Sequence, residues 1–226
     1  QQLAELNLPD HDIQALEEQE QKLADQYNKA AEQLSKLRHK AAKQLNKEIE
    51  SHFHSLALEQ AKFFTEVDTN INNGNKHGID QIGFSVQTNP GMPKGALAKV
   101  ASGGELARIS LAIQVVTAAS SNVSSLIFDE VDVGIGGGTA ERVGKLLQQL
   151  GKQGQVLCVT HQPQVAAQAH QHYQVSKISG SSATHTNLRL LNKQQRAEEI
   201  ARMLGGVSIT QQTLAHAEEM LAMAAS

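Results

Sequence analysis

Three short stretches carry residues whose types and order could do chemistry on a phosphate. Ser102-Gly103-Gly104-Glu105 stands directly before a helical apolar face of Leu106, Ile109, Ile113 and Val116. Serine is a natural N-cap and the glycines allow close backbone approach. The free N–H groups and the helix dipole then make a site for an anion, phosphate above all. A capped helix after a Gly-Gly turn is also an ordinary structural device, so this stretch decides nothing alone. The second, Leu126-Ile127-Phe128-Asp129-Glu130, reads as a buried strand ending in two carboxylates, where a parallel sheet usually places its ligand site. Adjacent acids can divide their work: one holds Mg2+, often through water, and the other orients or deprotonates an attacking water. They can equally be solvated acids opening a turn. The third, Val156-Leu157-Cys158-Val159-Thr160-His161, reads as another buried strand with a histidine at its end. Such a histidine is by itself more simply a loop residue. What gives the three specificity is their conjunction, in this order and at separations that fit consecutive strands of one sheet.

The elements that must position these residues follow from periodicity. Ile13, Leu16, Glu20, Leu23, Tyr27, Ala30, Leu34, Leu37 and Ala41 alternate at spacings of three and four, the a/d seam of a coiled coil with only Glu20 out of character. Leu45 and Ile49 continue at spacings of four, a stutter that locally unwinds a supercoil before Phe53 and Leu56. The pattern predicts a helix from about Asp12 to Lys62, some ~75 Å long at 1.5 Å per residue and expected to project. Pro9 is expected outside it. Near residue 65 the composition changes from Glu, Gln, Lys, Ala and Leu to glycine-rich loops between apolar runs, so residues 1–65 are expected as a coiled-coil arm and 66–226 as a second domain. Turn signals at Asn72-Asn73-Gly74 and Lys76-His77-Gly78 precede a half-buried strand with Ile82, Phe84 and Val86 inward. Helices near 104–119, 138–150, 194–204 and 210–224 and a short one after Pro163 alternate with strands at 125–128 and 156–160. Two more strands lie around 173–178 and 187–191. That alternation predicts an α/β domain with a parallel sheet flanked by helices.

Composition narrows the class. The chain has 226 residues, 40% of them apolar, and a net charge of −3, so no bulk basic character points to nucleic acid and any such contact must be local. A single cysteine, Cys158, excludes an internal disulfide framework and fits a reducing compartment. No apolar run approaches the roughly 18 residues that cross a bilayer, and a cytoplasmic protein without membrane contact is expected.

In this order the three stretches resemble the signature, Walker B and switch-histidine motifs of ABC-type ATPases, and the coiled coil narrows the resemblance to SMC-like members. Closer still, Thr88-Asn89-Pro90-Gly91 leads through Leu97-Ala98-Lys99-Val100 into Ala101-Ser102-Gly103-Gly104-Glu105. With Asp129-Glu130-Val131-Asp132-Val133-Gly134-Ile135-Gly136-Gly137, this is similar to the RecN family. The likeness extends over essentially the whole chain. Gly95-Ala96 and Ala107 depart from the family pattern where a proline and a serine are usual, and Gly136 stands where many ABC proteins carry an aspartate.

The resemblance implies half of an ATPase head, with ATP and Mg2+ as ligands in a site shared by two heads. Ser102, Gly103, Gly104 and Glu105 would face the γ-phosphate of ATP on the opposite head. Asp129 would support Mg2+ through water, Glu130 would act as general base, and His161 would contact the γ-phosphate. Asp132, Val133, Gly134 and Gly136 would form the D-loop at the interface between heads. It further implies a head-to-head homodimer, a complementary N-terminal half, and double-stranded DNA or DNA ends as partner in a nucleoid-associated repair and recombination protein. No G-x-x-x-x-G-K-[ST] loop occurs in the chain. The family carries that loop in its N-terminal half, so this chain alone is expected to be inactive.

Softer signals stay open. Lys36, Lys40, Lys43 and Lys47 share one flank of the long helix and could track a DNA backbone, although a solvated coiled-coil face explains them as simply. His170 and His172 lack a clear third metal ligand, and Cys158 reads as a small core residue. Alternatives to a repair ATPase are another SMC-like chromosome-organising ATPase, a transporter motor, which the coiled coil disfavours, and a non-catalytic coiled-coil dimerisation module, which the intact Asp129, Glu130 and His161 disfavour.

Overall fold

A computed structural model describes residues 10–97, 102–118, 123–179, 184–206 and 208–225. Contacts divide the chain into two compact units, one comprising the residues up to Lys47 with Phe63–Ser85, the other Glu48–Lys62 with the residues from Val86 onward. The compositional change near residue 65 falls within strand β1 (Lys62–Thr69). Pro9 and Ala98-Lys99-Val100-Ala101 lie outside the described residues.

Helix α1 (Asp10–Phe53) has 44 residues, or ~66 Å at 1.5 Å per residue. It ends nine residues before the expected Lys62. A 3-10 turn at His54–Leu56 closes on Ala57, which adopts the left-handed conformation at φ 54 and ψ 47. Leu56 and Leu58 are both buried. Two positions apart is ~200° around a helix, so a helix continuing through them could not turn both inward.

In the first unit α1 lies along a hairpin of β1 and β2 (Asp80–Gln87). Its buried positions there are Ala31, Ser35 and Ala42, while Ile13, Leu16, Leu23, Tyr27, Leu34 and Leu37 of the expected seam are 37–65% exposed. Helix and hairpin meet through polar rungs. Ser35 Oγ lies 3.2 Å from Thr69 Oγ1, Arg38 Nη1 donates to Asp80 at 3.0 Å, and Thr65 N–H donates to Asn46 Oδ1 at 2.8 Å. The Tyr27 hydroxyl donates to Asn75 O across Gly74. The expected turn is there: Asn70 caps a 3-10 turn at Ile71–Asn73, and Gly78 takes φ +100. Ile82 and Phe84 remain 46% and 42% exposed, contrary to their expected inward placement, and of the three only Val86 is buried.

β3 (Gly95–Ala96) joins the sheet in the order β1-β2-β3. The second unit then builds an α/β arrangement from α2 (Gly103–Thr117), β4 (Ser125–Phe128), α3 (Gly137–Leu150), β5 (Gln155–Cys158) and α4 (Pro163–Ala167). A hairpin of β6 (Tyr173–Ser179) and β7 (Thr184–Leu190), then α5 (Lys193–Gly205) and α6 (Gln211–Ala224), complete it. β4 and β5 are parallel, with Phe128 opposite Cys158. α2 packs on α3, and α3 on α4 and on the 3-10 turn after α1. Ala166, Ala167, Ile200, Ala201 and Ala217 form a core under Met203, Leu204, Leu214, Met220 and Leu221. The strands β4 and β5 are less enclosed than their apolar sequence suggests. Ile127, Leu157 and Val159 are 72%, 47% and 62% exposed and Cys158 is half-buried, because alternate side chains point to opposite faces and the unit covers one face more than the other. Among the described residues no helix is long and apolar enough to cross a membrane.

Candidate functional site

All the chemistry-bearing stretches fall in the second unit. α2 begins as expected, with Ser102 as N-cap and a complete capping box. Ser102 Oγ accepts from Glu105 N–H at 3.4 Å, and Glu105 Oε2 accepts from Ser102 N–H and Oγ–H, each at 3.0 Å. The reciprocal bonds hold the first turn in place. Gly104 is buried, and a methyl group there would lie 3.0 Å from Val133 O. A methyl group at Gly103 would lie 2.5 Å from Glu130 Oε2. The start of the signature helix and the second strand-end carboxylate are therefore neighbours in one chain, a placement no spacing in the sequence announces.

Asp129 and Glu130 leave β4 exposed. Glu130 has φ 60, a conformation that costs a non-glycine residue about 1–2 kcal/mol, and its N–H donates to Asp129 Oδ1 at 2.9 Å. Backbone strain of this kind clusters at functional sites. The next turn holds Val131 and Asp132 buried, Val133, Gly134 and Gly136 exposed. Asp132 is turned into the chain: its side chain is 2% exposed and accepts from Thr160 and from the N–H groups of His161 and Gln162. His161 leaves the end of β5 with its side chain 66% exposed and Nδ1 3.4 Å from Asp132 Oδ2. The parallel register carries this out, since Val159 N–H bonds Phe128 O at 2.9 Å just before both chains leave the sheet.

Two residues that the motifs did not single out complete the geometry. Arg108 Nη1 donates to Val133 O at 2.8 Å, tying α2 to the turn after β4. Burial lowers the Arg108 pKa, with Glu105 acting in the opposite sense. Gln162 Nε2 donates to Ile135 O at 2.9 Å. A carboxylate set between two valines, Val131 and Val133, is the one sequence signal that Asp132 turns inward. Burial, then the carboxylates of Asp132 and Asp129, push the Cys158 thiol up to about 12, which disfavours the thiolate. His172 is half-buried near Arg196 and Glu199, and burial lowers its pKa.

Among the described residues no group of three or more histidines, cysteines or acids could hold a metal ion. Mg2+ keeps several waters and takes one or two carboxylates plus substrate phosphates, so it does not require such a group. Lys36, Lys40, Lys43 and Lys47 are all exposed in the first unit.

No family model matches the chain. It is 48% identical over 221 residues to the DNA repair protein RecN of Vibrio cholerae, a match covering 98% of this chain and 40% of that protein. Identity to RecN of Haemophilus influenzae is 44% over 204 residues, 90% of this chain and 37% of that one. For RecN of Treponema pallidum it is 37% over 226 residues, 98% and 39%. The chain belongs to the RecN family. It spans about two fifths of the length of these curated relatives. Its fold is similar to that of the Smc head domain with a coiled coil and joint from Pyrococcus yayanosii, at a TM-score of 0.61 and 16% identity over 84% of this chain and 35% of that one. The Smc head domain of Pyrococcus furiosus, with an extended coiled coil and bound to the C-terminal domain of ScpA, gives 0.55 and 16% over 86% and 46%.

Proposed function

We propose that the chain is the C-terminal part of an ATP-hydrolysing SMC-like protein for DNA double-strand break repair and recombination. The observation that carries this reading is one unit of a RecN-family chain holding a capped Ser102-Gly103-Gly104 helix start, two carboxylates leaving β4, and a histidine leaving the neighbouring parallel strand. In the complete protein Ser102, Gly103, Gly104 and Glu105 face the terminal phosphate of ATP held by a second head, where N–H groups stabilise negative charge. Glu130 acts as general base on the attacking water and His161 contacts the γ-phosphate. Asp129 holds Mg2+ through water, and the ion when bound supplies charge neutralisation at the phosphates. Val133, Gly134 and Gly136 reach the other head, while Asp132 works from inside its own chain.

The sequence has no G-x-x-x-x-G-K-[ST] loop; the chain supplies half a head, and the arm expected over residues 1–65 is the long helix α1, which ends at Phe53. The complementary N-terminal half supplies the phosphate loop, two heads pair as a homodimer, and the assembly is cytoplasmic and nucleoid-associated. DNA contact is assigned to Lys36, Lys40, Lys43 and Lys47, whose contribution falls steeply with salt.

The test is steady-state ATP hydrolysis by this chain alone and mixed with the N-terminal segment of the same protein, with and without double-stranded DNA. Activity that requires mixing supports the split head, and hydrolysis by the purified chain alone overturns it. In the complete protein Glu130→Gln is expected to abolish turnover while ATP binding persists; rapid steady-state hydrolysis by that variant removes the general-base assignment.

A further inference from the structure

Asp132 accepts every donor described for it on one oxygen. Thr160 Oγ1 donates to Oδ2, the N–H groups of His161 and Gln162 donate at 3.1 and 3.2 Å, and His161 Nδ1 lies 3.4 Å away. Thr160 Oγ1 itself accepts from Gln162 N–H at 3.0 Å, so residues 160–162 fold around the carboxylate. Gln162 Nε2 then reaches back to Ile135 O at 2.9 Å, and the turn after β4 and the turn after β5 are cross-linked twice.

Closing a turn does not require an acid. A buried carboxylate is costly to desolvate, and a neutral asparagine or serine can accept the same backbone N–H bonds. The acid here is 2% exposed and faces the ring of His161, with the Cys158 thiol also within its electrostatic reach. Gln162 Nε2 lies 3.5 Å from the opposite ring nitrogen, Nε2. The imidazole is therefore flanked on both sides, by Asp132 of the turn after β4 and by its own neighbour Gln162, whose amide bonds Ile135 O of that turn, although its side chain is two-thirds exposed.

We infer that Asp132 is a positioning residue for His161: it folds the Thr160–Gln162 turn and faces Nδ1, thereby fixing where the ring stands at the site. A carboxylate behind a functional histidine orients the ring and sets which nitrogen carries the proton. The inference rests on the proposed role of His161 toward the γ-phosphate. It also makes the turn from Val131 to Gly136 a joint between α2, through Arg108 and Val133 O, and the histidine, through Asp132.

The experiment uses the complete protein and measures kcat and KM for ATP, nucleotide binding and melting for the wild type, Glu130→Gln, Asp132→Asn, Thr160→Val and the Asp132→Asn/Thr160→Val double variant. Asp132→Asn is expected to lower kcat on the order of 10- to 100-fold, the range for loss of a residue that orients a functional ligand, with KM and nucleotide binding near wild type. Thr160→Val is expected to lower kcat in the same direction. The double variant should be no worse than the more damaged single one, because both act through one unit. A residue that merely holds the fold would lower melting and leave kcat per folded molecule unchanged, and that result for Asp132→Asn overturns the inference. If Asp132→Asn does not fold, Thr160→Val decides, and an unchanged kcat in that variant overturns it equally. Glu130→Gln separates the two layers. Should it hydrolyse ATP at the wild-type rate, the reading of the site fails; should it be inactive while Asp132→Asn turns over normally, only the positioning role fails.

Discussion

Gly144 sits in the middle of α3, where helix propensity alone favours alanine by about 0.5–1 kcal/mol. Tertiary structure reverses that expectation. A methyl group on Gly144 would lie 2.7 Å from Gln168 Cγ, 3.1 Å from Gln168 Cβ and 3.1 Å from Val165 Cα. Gln168 is buried and Val165 Cα is backbone of α4, so neither neighbour can simply swing away. Forcing a methyl group into packed structure costs about 1–3 kcal/mol, so after subtracting the propensity gain Gly144→Ala should be destabilising by roughly 1–2 kcal/mol. Gly138, in the first turn of the same helix, has Arg142 Nη1 at 3.9 Å as the nearest atom to an added methyl group. Gly138→Ala should therefore be neutral or stabilising by up to about 1 kcal/mol. Urea denaturation of the two variants beside the wild type reads the difference directly. With a slope of about 2 kcal/mol per molar, the Gly144→Ala midpoint should fall by roughly 0.5–1 M and the Gly138→Ala midpoint should hold or rise. Equal upward shifts would refute the reasoning, since they would mean that α3 and α4 do not approach closely at Gly144. The pair also bears on the site, because α3 follows the turn that holds Asp132 and α4 follows the turn that holds His161.

Three further outcomes follow from local chemistry. With its thiol pushed up to about 12 from 9.0, Cys158 should be alkylated at pH 8 roughly a thousand-fold more slowly than an ordinary exposed thiol, and denaturation should restore the rate. Ala57→Gly should stabilise the chain by about 1 kcal/mol in thermal melts, because Ala57 holds φ 54 after the 3-10 turn where glycine carries no such strain. Acid should destabilise the region where His172 and Gln174 meet Glu199 of α5. Burial and then the nearby Arg196 hold the His172 pKa below 6.5, partly countered by Glu199, so stability present above pH 6.5 is lost as pH falls toward the folded value. The bonds from Arg202 hold the Glu199 carboxyl below 4.5, so a second loss follows below that pH. Melting temperatures from pH 7.5 to about 3 should decline through the first window and into the second, and His172→Gln should flatten the upper one.

Much of the site was legible in the sequence because its signals are local. Ser102 three residues before Glu105 specifies a capping box wherever a helix follows, and that box is present. Leu126 to Glu130 and Val156 to His161 announce strands that end in polar groups, and α3 between them makes a parallel crossover the natural connection. The helices after Asn192 and Thr210 likewise begin at capping residues that the chain displays openly.

The rest depended on what packs against what. Periodicity gave α1 its seam but not its buried face, because Ala31, Ser35 and Ala42 are inward only where the hairpin lies against them. It also ran the helix past Phe53, since nothing local shows that Leu56 and Leu58 must both be buried. Asp132 looked like one more polar residue of an interface loop. Its inward turn requires Thr160, His161 and Gln162, some 30 residues away, to bring donors to it, and only the parallel register of β4 and β5 does so. A sequence states which groups want partners; which partner each one finds is decided when distant segments are brought within a hydrogen bond's reach.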